Sequence, residues 1–347
     1  MKTAAKVSLG IAISALTLYL FLRNLDAAKV AASVANASWP LLIVSIAIGY
    51  FGHLGLRARR WGTMLAPLKD RVRFYNLFST TAIGYAISWL TPGRIGEVVR
   101  PVLLANRESI PVSGVLATAV IERVLDVVAI VVLAACAALT APWWWQASGG
   151  SLTVSIPLFG TTDLVRAVTI MGALGLFASI AGLLLLRALV MENSAFLTYV
   201  DRKRSIVSRW QKIWTAIRHG AEGASFLRSP RRAVRVGAES ILIWVVVALA
   251  SWIGLLAARV HIPFPGSFLL VAVSAAGISV PTPGGAGPVH FAFQRGLVDL
   301  FGVEPNLAAA ATVLYHPVSI YIPPIVFGLV FAWRDGLSLA SLKGLEP

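Results

Sequence analysis

The chain has 347 residues, of which 57% are hydrophobic and 13% are charged, and it carries a formal net charge of +15. Its mean hydropathy is +0.79. Soluble domains carry about one-quarter charged residues, so this composition excludes an ordinary soluble protein and indicates an integral membrane protein with several spanning helices. Basic cytoplasmic loops beside an anionic inner leaflet explain the positive charge. We expect no nucleic-acid partner, because no nucleic-acid-binding motif is present.

Long apolar runs predict membrane-embedded helices along the whole chain. The first run follows two lysines, as in a signal peptide, but no small-residue cleavage site follows it, so we interpret it as an uncleaved helix. The predicted segments are Val7–Leu22, Trp39–Leu56, Phe74–Leu90, Val98–Ala105, Val112–Leu139, Leu164–Leu189, Val236–Ala258, Phe268–Val280, Val289–Phe301 and Ala308–Trp333.

The distribution of basic residues predicts which loops are cytoplasmic. Six Lys or Arg residues lie between Arg57 and Arg73, and ten lie in the segment 191–235. In contrast, Ala141–Thr162 contains no Lys or Arg but has three consecutive tryptophans. Since Lys and Arg concentrate in cytoplasmic loops, the two basic loops are predicted inside and the tryptophan-containing stretch outside. Within 191–235, a helix lying on the anionic leaflet and a plain soluble linker helix both fit the pattern.

The number of crossings then predicts two re-entrant hairpins. If both basic loops are cytoplasmic, segments 74–105 and 268–301 must each enter and leave the membrane on one side. Each contains the pattern I-S-x-x-T-P-G-x-x-G, at Ile87–Gly96 and at Ile278–Gly287. Broken helices at corresponding positions of two halves are typical of a transporter's binding site. We therefore predict an all-α membrane protein with about six full spans plus two re-entrant hairpins, arranged as two inverted-topology repeats, residues 1–163 and 164–347.

Helices broken within the membrane also predict an anion site. The helix after each break presents free backbone N–H groups and the positive end of its dipole, which suit a phosphate. In the next predicted span, Glu122 and Asp126 are four residues apart, so they share a helix face. Glu122 lies about 15 Å from the start of that span, near the midplane, where a charged side chain costs roughly 2.5–3.5 kcal/mol to insert. We expect Arg94 and Arg100 to be the partners of these carboxylates, and Glu97 to pair with Arg100; a purely structural ion-pair network is the alternative.

The candidate site residues follow from these two observations. A second group of residues has competing interpretations. Arg57 and Arg60 are either positive-inside anchors or contacts to a lipid headgroup. Arg295 either binds the substrate or extends its side chain to the membrane surface, and His316 is either a ligand or a hydrogen-bonded core residue. No catalytic motif and no metal-binding motif is found, so we expect neither cofactor nor enzymatic activity. The predicted substrate-binding residues are Thr91, Gly93, Arg94, Glu97, Arg100, Glu122, Arg123, Asp126, Thr282, Gly284, Gly285, Gly287 and His290, and the second group is Arg57, Arg60, Arg295 and His316.

Four motifs in this order resemble the lysylphosphatidylglycerol synthase transmembrane family, also called flippase-like, which includes the membrane half of the multiple peptide resistance factor. The motifs are Arg57–Trp61, Leu90–Glu97 with Arg100, Glu122–Asp126, and Pro281–Gly287. The resemblance implies a bacterial or archaeal protein that moves a lipid between leaflets, which in the synthase members is an aminoacylated phosphatidylglycerol. Two features depart from the family. The sequence lacks the soluble aminoacyl-transfer domain, so we do not expect lipid synthesis, and His290 stands where the family often has Glu.

The leading hypothesis is a lipid flippase or scramblase-like transporter in the bacterial inner membrane, with both termini cytoplasmic. Its substrate would be an anionic or aminoacylated phospholipid, or a related glycolipid. A homodimer is also compatible with the sequence. One alternative is a non-transporting, lipid-binding partner of a lipid- or glycan-modifying enzyme. Another is a membrane enzyme that uses Glu122 or Asp126 as acid or base, although neither a nucleophile nor a metal set accompanies them.

Overall fold

A computed structural model of the protein describes residues 2–91, 94–141, 153–156, 160–163, 223–280 and 282–337, and the isolated helical positions 173, 177 and 181. Almost all of the predicted helix 164–189, the tryptophan cluster and most of the basic segment 191–235 lie outside the described residues, as do Pro92, Gly93 and Pro281. Helices dominate the described part, which confirms the predicted class. One short antiparallel pair of strands, β1 (Thr153–Ile156) and β2 (Gly160–Asp163), is a departure from it.

Short connections join the helices α1 to α7 and the helices α8 to α12. Two of them are continued by π-helical segments, Ala47–Gly52 after α3 and Leu314–Tyr321 after α11. Short 3-10 turns cover Ser225–Arg228 and Pro283–Gly285. The α-helices are α1 (Lys2–Leu22), α2 (Ala27–Ala35), α3 (Trp39–Ile46), α4 (His53–Leu65), α5 (Phe74–Leu90), α6 (Gly96–Glu108), α7 (Val112–Leu139), α8 (Pro230–Ala257), α9 (Phe264–Ser279), α10 (Pro288–Phe301), α11 (Pro305–Val313) and α12 (Ile322–Arg334).

Several described helices are long and apolar enough to cross a membrane. Three meet this requirement, Trp39–Leu65, Pro230–Ala257 and Pro305–Arg334, and α1 with α2 makes a fourth if the pair, bent by 85°, is one span. The 28-residue α7 is also long enough, but it carries Glu122, Arg123 and Asp126 in its middle. A membrane protein is therefore confirmed, whereas six spans and re-entrant insertion stay predictions.

Most predicted helix bounds lie within a few residues of those in the structure, and two differences stand out, of which the first affects the candidate site. The bounds of α5 and α7 are those predicted. The second span does not end at Leu56 but continues to Leu65, which places Arg57 and Arg60 inside a helix. The helix α2 was not predicted; it begins where the Asp26 carboxylate accepts the N–H groups of Ala28 and Lys29, which satisfies donors that a helix start leaves free.

The two segments with Pro-Gly breaks fold as helical hairpins whose arms contact each other, α5 with α6 and α9 with α10. Glycines permit this close approach. A Cβ atom on Gly96 would collide with the carbonyl oxygen of Gly84, and a Cβ on Gly277 would lie 3.0 Å from the carbonyl oxygen of Pro288. Neither position leaves room for a side chain, so the glycines set the separation of the arms.

The hairpins open toward opposite ends of the helix bundle. The open end of the first hairpin, around Leu77 and Ala105, packs in a cluster with the end of α4 and the start of α7. The open end of the second hairpin, around Leu270 and Phe301, packs with the far end of α7 and the end of α8. Since α7 runs from the first cluster to the second, the tips of the two hairpins point toward each other.

The two hairpin tips contact each other. The end of α5 contacts the turn Pro283–Gly285, and the indole of Trp89 lies 5.8 Å from the imidazole of His316 and 5.5 Å from the ring of Tyr321, centroid to centroid. The helix α1 covers the second tip, where the Ser14 hydroxyl donates to the carbonyl oxygen of Ala286 at 2.6 Å.

We expect Gly96→Ala to destabilise the protein strongly, because its Cβ would force the first hairpin apart at Gly84. Gly237→Ala is the matched control: this glycine lies on α8 with no atom within 4 Å of the added Cβ, and alanine there gains about 0.5–1 kcal/mol of helix propensity. Thermal unfolding in detergent, followed by gel filtration of the heated protein, measures both. Equal melting temperatures for the two variants would contradict the assigned contact.

One carboxylate fastens the open end of the first hairpin. The Glu108 side chain accepts the Lys69 ammonium at 2.6 Å, the Asn76 amide at 2.6 Å and the N–H of Arg73 at 3.2 Å. Burial raises the pKa of Glu108, but these donors outweigh it, so the net shift is downward. The contacts therefore join the end of α6 to the start of α5.

This network predicts a pH-dependent contribution to stability. A carboxyl whose pKa is lower in the folded than in the unfolded protein stabilises the fold above its unfolded pKa and loses that contribution as the pH falls through the folded pKa. Glu108→Gln should therefore lower the melting temperature at pH 7 and make progressively less difference below about pH 4, near the ordinary pKa of Glu. Thermal unfolding of both proteins from pH 3 to pH 8 measures the difference, and a difference independent of pH would count against the ionic contact.

Candidate functional site

A cluster of charged side chains is buried in the interior of the helix bundle. On α7, Glu122 and Asp126 lie one turn apart, and their side chains are 0% and 6% exposed. Arg60 donates to both of them, at 2.9 Å to each. Arg57 donates to Asp126 at 2.7 Å, and Arg100 contacts Glu122. Three guanidiniums from two helices, each at most 4% exposed, therefore surround two carboxylates.

The spacing of these residues explains how they assemble. Arg57 and Arg60 are three residues apart on α4, and Glu122 and Asp126 are four apart on α7, so both pairs project from one helix face toward each other. Arg100 reaches the cluster from α6, where its Cβ would lie 2.7 Å from a Cβ on Gly84. A glycine at that position lets the Arg100 side chain pass between the arms of the hairpin.

Polar and aromatic neighbours complete the hydrogen bonds of the cluster. The Ser240 hydroxyl accepts from Arg60 at 2.9 Å, and the indole N–H of Trp244 donates to Asp126 at 3.3 Å, so α8 closes one side. The guanidinium of Arg100 lies 4.3 Å above the ring of Trp61, a cation–π distance. The Nε2 atom of His53 accepts from Arg57 Nε at 2.7 Å, which requires that nitrogen to be unprotonated.

A second set of ion pairs connects this cluster to the first hairpin tip. Arg94 lies 3.3 Å from Glu97, Glu97 lies 3.9 Å from Arg123, and Arg123 lies 3.6 Å from Asp126. The side chains of Arg94, Glu97 and Arg123 are 48%, 35% and 39% exposed. Charged groups therefore form a continuous series from the exposed hairpin tip to the buried carboxylates.

The cationic groups outnumber the anionic ones. Five guanidiniums (Arg57, Arg60, Arg94, Arg100, Arg123) face three carboxylates, which leaves a formal surplus of two positive charges. Within the described residues, Arg57 Nη1 and Arg60 Nε have no hydrogen-bond partner. A buried cation without full compensation is costly, so the cluster has both the charge and the free donors to bind a further anion.

Two sequence-based expectations about these arginines are wrong. Arg94 does not pair with Glu122 or Asp126, and the pair expected between Glu97 and Arg100 is replaced by contacts of Glu97 with Arg94 and Arg123. The reason is local: Arg94 has a left-handed backbone, with φ of 56°, at the turn before α6, while Arg100 points inward from the second turn. The expected contact of Arg100 with Glu122 is confirmed.

Arg57 and Arg60 are not membrane-surface anchors, which was their first interpretation. They are 3% and 0% exposed, because the helix continues through them into the bundle. The signal that predicts their position is the i, i+3 spacing of two arginines on the apolar face that also carries Trp61. This spacing complements the i, i+4 carboxylates of α7. Whether they contact a headgroup stays a prediction.

The remaining candidates lie at the tips or away from them. Gly284, Gly285 and Gly287 have φ of 60°, 65° and 95°, values that favour glycine, and shape the second tip. Thr91, whose extended backbone ends α5, donates its hydroxyl to the carbonyl oxygen of Ile87 at 2.6 Å. Gly93 lies outside the described residues. Arg295 pairs with Asp299 at 2.5 Å on the exposed side of α10 and is not brought to either tip.

Two histidines meet beside the second tip. The rings of His290 and His316 lie 4.6 Å apart. The Nδ1 atom of His290 accepts the N–H of Gly287 at 3.3 Å. Neither nitrogen of His316 has a hydrogen-bond partner among the described residues, and the same holds for the hydroxyl of Thr282. The described part contains no group of three side chains able to hold a metal ion.

The model of the lysylphosphatidylglycerol synthase transmembrane region matches residues 7–328. The protein belongs to this family. It is 29% identical to the glycosyltransferase AglD of Haloferax volcanii over 333 residues, which cover 89% of this chain and 51% of that protein. It is 28% identical to the UPF0104 membrane protein PH1989 of Pyrococcus horikoshii over 307 residues, which cover 82% of this chain and 84% of that protein. The chain thus spans about half the length of the glycosyltransferase.

We expect Glu122→Gln to destabilise the protein far more than Glu97→Gln. The first change leaves three buried guanidiniums with one carboxylate, and breaking a buried ion pair typically costs about 3–5 kcal/mol. The second removes a half-exposed carboxylate, where an ion pair contributes about 0–1 kcal/mol. Yield and melting temperature in detergent compare the two. If Glu122→Gln melted at the wild-type temperature, the cluster would not be the structural centre described above.

Proposed function

We propose that the protein is a lipid flippase or scramblase-like transporter that moves an anionic phospholipid, or a related glycolipid, between membrane leaflets. The observation that carries this proposal is the buried arginine cluster together with the ion pairs that connect it to the first hairpin tip, where five guanidiniums face three carboxylates. Ionisable groups inside a membrane bundle are expensive and mark substrate pathways. A guanidinium binds a phosphate through paired hydrogen bonds, so the free donors of Arg57 and Arg60 suit the headgroup phosphate.

The arrangement of the hairpins supports transport rather than simple binding. Two hairpins that open toward opposite ends of the bundle, with their tips in contact, are what two inverted repeats with re-entrant hairpins would produce. In such transporters the site lies at the interface of the repeats, and access alternates around it. We therefore propose two inverted repeats with six spans and cytoplasmic termini, in a cytoplasmic membrane.

The series of ion pairs suggests how a phosphate reaches the cluster. Arg94, the most exposed of the five arginines that face the carboxylates, meets the lipid first. The phosphate first replaces Glu97 as the partner of Arg94. It then replaces Glu97 as the partner of Arg123, which also contacts Asp126. At each step one anion exchanges for another at a guanidinium, so no cation is left bare in the low-dielectric interior. No cofactor, metal or catalytic step enters this scheme.

A second candidate function is a lipid-binding partner for a lipid- or glycan-modifying enzyme. It is favoured by one specific observation: a relative named as a glycosyltransferase contains about as much additional chain as it shares with this protein. In that arrangement the same cluster holds a lipid phosphate and presents the lipid without moving it. A homodimer is compatible with either function.

Arg94→Ala should lower lipid translocation at least tenfold while the protein folds normally, because Arg94 is half-exposed and lies at the start of the ion-pair series. Arg295→Ala is the matched control, since its side chain is 52% exposed and pairs with Asp299 on the surface of α10. The measurement is the movement of fluorescent phosphatidylglycerol between leaflets of proteoliposomes.

The outcomes separate the two candidate functions. Translocation that survives in Arg94→Ala contradicts the proposed route. Absence of translocation by the wild type, together with retention of labelled phosphatidylglycerol on the purified protein, supports the lipid-binding partner instead.

A further inference from the structure

The junction of the two hairpin tips contains polar atoms that the protein itself does not satisfy. His316 is 2% and Thr282 is 9% exposed. The hydroxyl of Thr282 and both ring nitrogens of His316 are buried, and they have no hydrogen-bond partner within the described residues. Buried polar groups are nearly always paired, so three unpaired atoms at the second tip call for a ligand.

These groups lie together at the second tip. Thr282 precedes the turn Pro283–Gly285, and its carbonyl oxygen accepts the N–H of Gly285. A Cβ on Gly285 would lie 3.7 Å from His316 Nε2. Thr282 and His316 thus come from the second tip and the π-helical segment after α11, and the ring of Trp89 on α5 contacts the ring of His316.

Other hydroxyls in the same helices have local partners. Ser279 donates to the carbonyl oxygen of Ala275 at 2.8 Å, and Thr312 donates to that of Ala308 at 2.7 Å. A Ser or Thr in a helix normally satisfies itself in this way. Thr282 does not, so its hydroxyl stays available for a ligand. His316 lies in a π-helical segment, a feature that is frequent at functional sites.

The chemistry of the junction is uncharged. His316 contacts the rings of Trp89, His290 and Tyr321 and lies beside the backbone of the second tip, and none of these groups carries a formal charge when the imidazoles are neutral. Every carboxylate that is buried in the described part of the chain is already engaged. Glu122 and Asp126 contact arginines, Glu239 contacts Arg59 and Arg235, and Glu108 contacts Lys69. An ammonium group would therefore find no buried counter-ion here.

We infer that the tip junction, formed by Thr282 and His316 beside Trp89 and Tyr321, binds the hydroxyl groups of an uncharged polyol or sugar headgroup. Hydroxyls donate and accept, which matches the mixed donors and acceptors of the two side chains. The flat indole and phenol rings provide apolar surface for the C–H face of a sugar ring. This inference rests on the proposed function, and it narrows the substrate to a phospholipid with a hydroxylated headgroup rather than an aminoacylated one.

A row of neighbouring side chains connects the arginine cluster to the junction. Arg57 contacts His53, and the ring of His53 lies 6.1 Å from that of Tyr85. Tyr85 and Trp89 are four residues apart on α5, about 6 Å along the helix axis.

The test compares two lipids that share a phosphate and differ in the headgroup, phosphatidylinositol and lysylphosphatidylglycerol, in proteoliposomes and in binding to the purified protein. We expect phosphatidylinositol to be bound and translocated at least tenfold better. Thr282→Val, which is nearly isosteric, should remove most of this preference, and His316→Leu should do the same. Thr312→Val is the matched control, because its buried hydroxyl is satisfied within its own helix, and it should keep the preference.

Each outcome bears on one of the two proposals. Translocation of both lipids at equal rates overturns the hydroxyl site and leaves the transporter standing. Selective binding of phosphatidylinositol that Thr282→Val abolishes, without any translocation, supports the hydroxyl site and overturns the transporter. If Thr282→Val and Thr312→Val keep the same preference, or if neither lipid binds, the hydroxyl site is wrong. If either Thr282→Val or His316→Leu fails to fold, the other variant and the comparison of the two lipids with the wild type still test the hydroxyl site.

Discussion

The rest of the structure depends on the contact between the carboxylates of α7 and the arginines of α4 and α6. None of these helices can expose its charges to lipid at low cost, since each charged side chain at the bilayer centre costs roughly 2.5–3.5 kcal/mol. Burial against one another removes that exposure, and Ser240 and Trp244 bring α8 to the same place. The ion cluster thus specifies which helices are neighbours. Apolar contacts cannot do this in a membrane, because lipid tails are as apolar as the leucine side chains that would make the contacts.

Glycines at the helix interfaces make this contact possible, because they let neighbouring helices approach closely. Arg100 reaches Glu122 only because Gly84 lets its side chain pass and Gly96 lets the arms of the hairpin approach. The first hairpin is held from outside in the same way, because a Cβ on Gly328 of α12 would lie 2.5 Å from the carbonyl oxygen of Ala82. Small residues at helix interfaces are the general means of close approach in membranes. Here they also bring a charge to its partner.

The sequence predicted the helices better than it predicted the contacts between them. The bounds of α5 and α7 follow from apolar runs that end at Pro, Thr or charged residues. The carboxylates of α7 were recognisable, because two acids one turn apart in an apolar run need buried partners. Their partners were harder to predict. Arg57 follows an apolar run directly, and a rule based on loop charge assigns such a residue to the surface. The unpaired His316 could not be predicted, since both the π-helical segment and its neighbours depend on the tertiary arrangement.

The two sites differ in a way that follows from the backbone beneath them. The arginine cluster lies on regular helices, where i, i+3 and i, i+4 spacing holds charges in matched pairs. The tip junction lies where helices end or change register, so its side chains lack the intrahelical partners that regular helices offer. A charged group needs opposite charges held at fixed positions, which regular helices provide. A hydroxylated group needs free donors and acceptors, which broken helices expose. In the proposed function, repetition of the Pro-Gly break in both halves serves this second need, since the second tip presents its polar groups where the first half, through Trp89, packs against it.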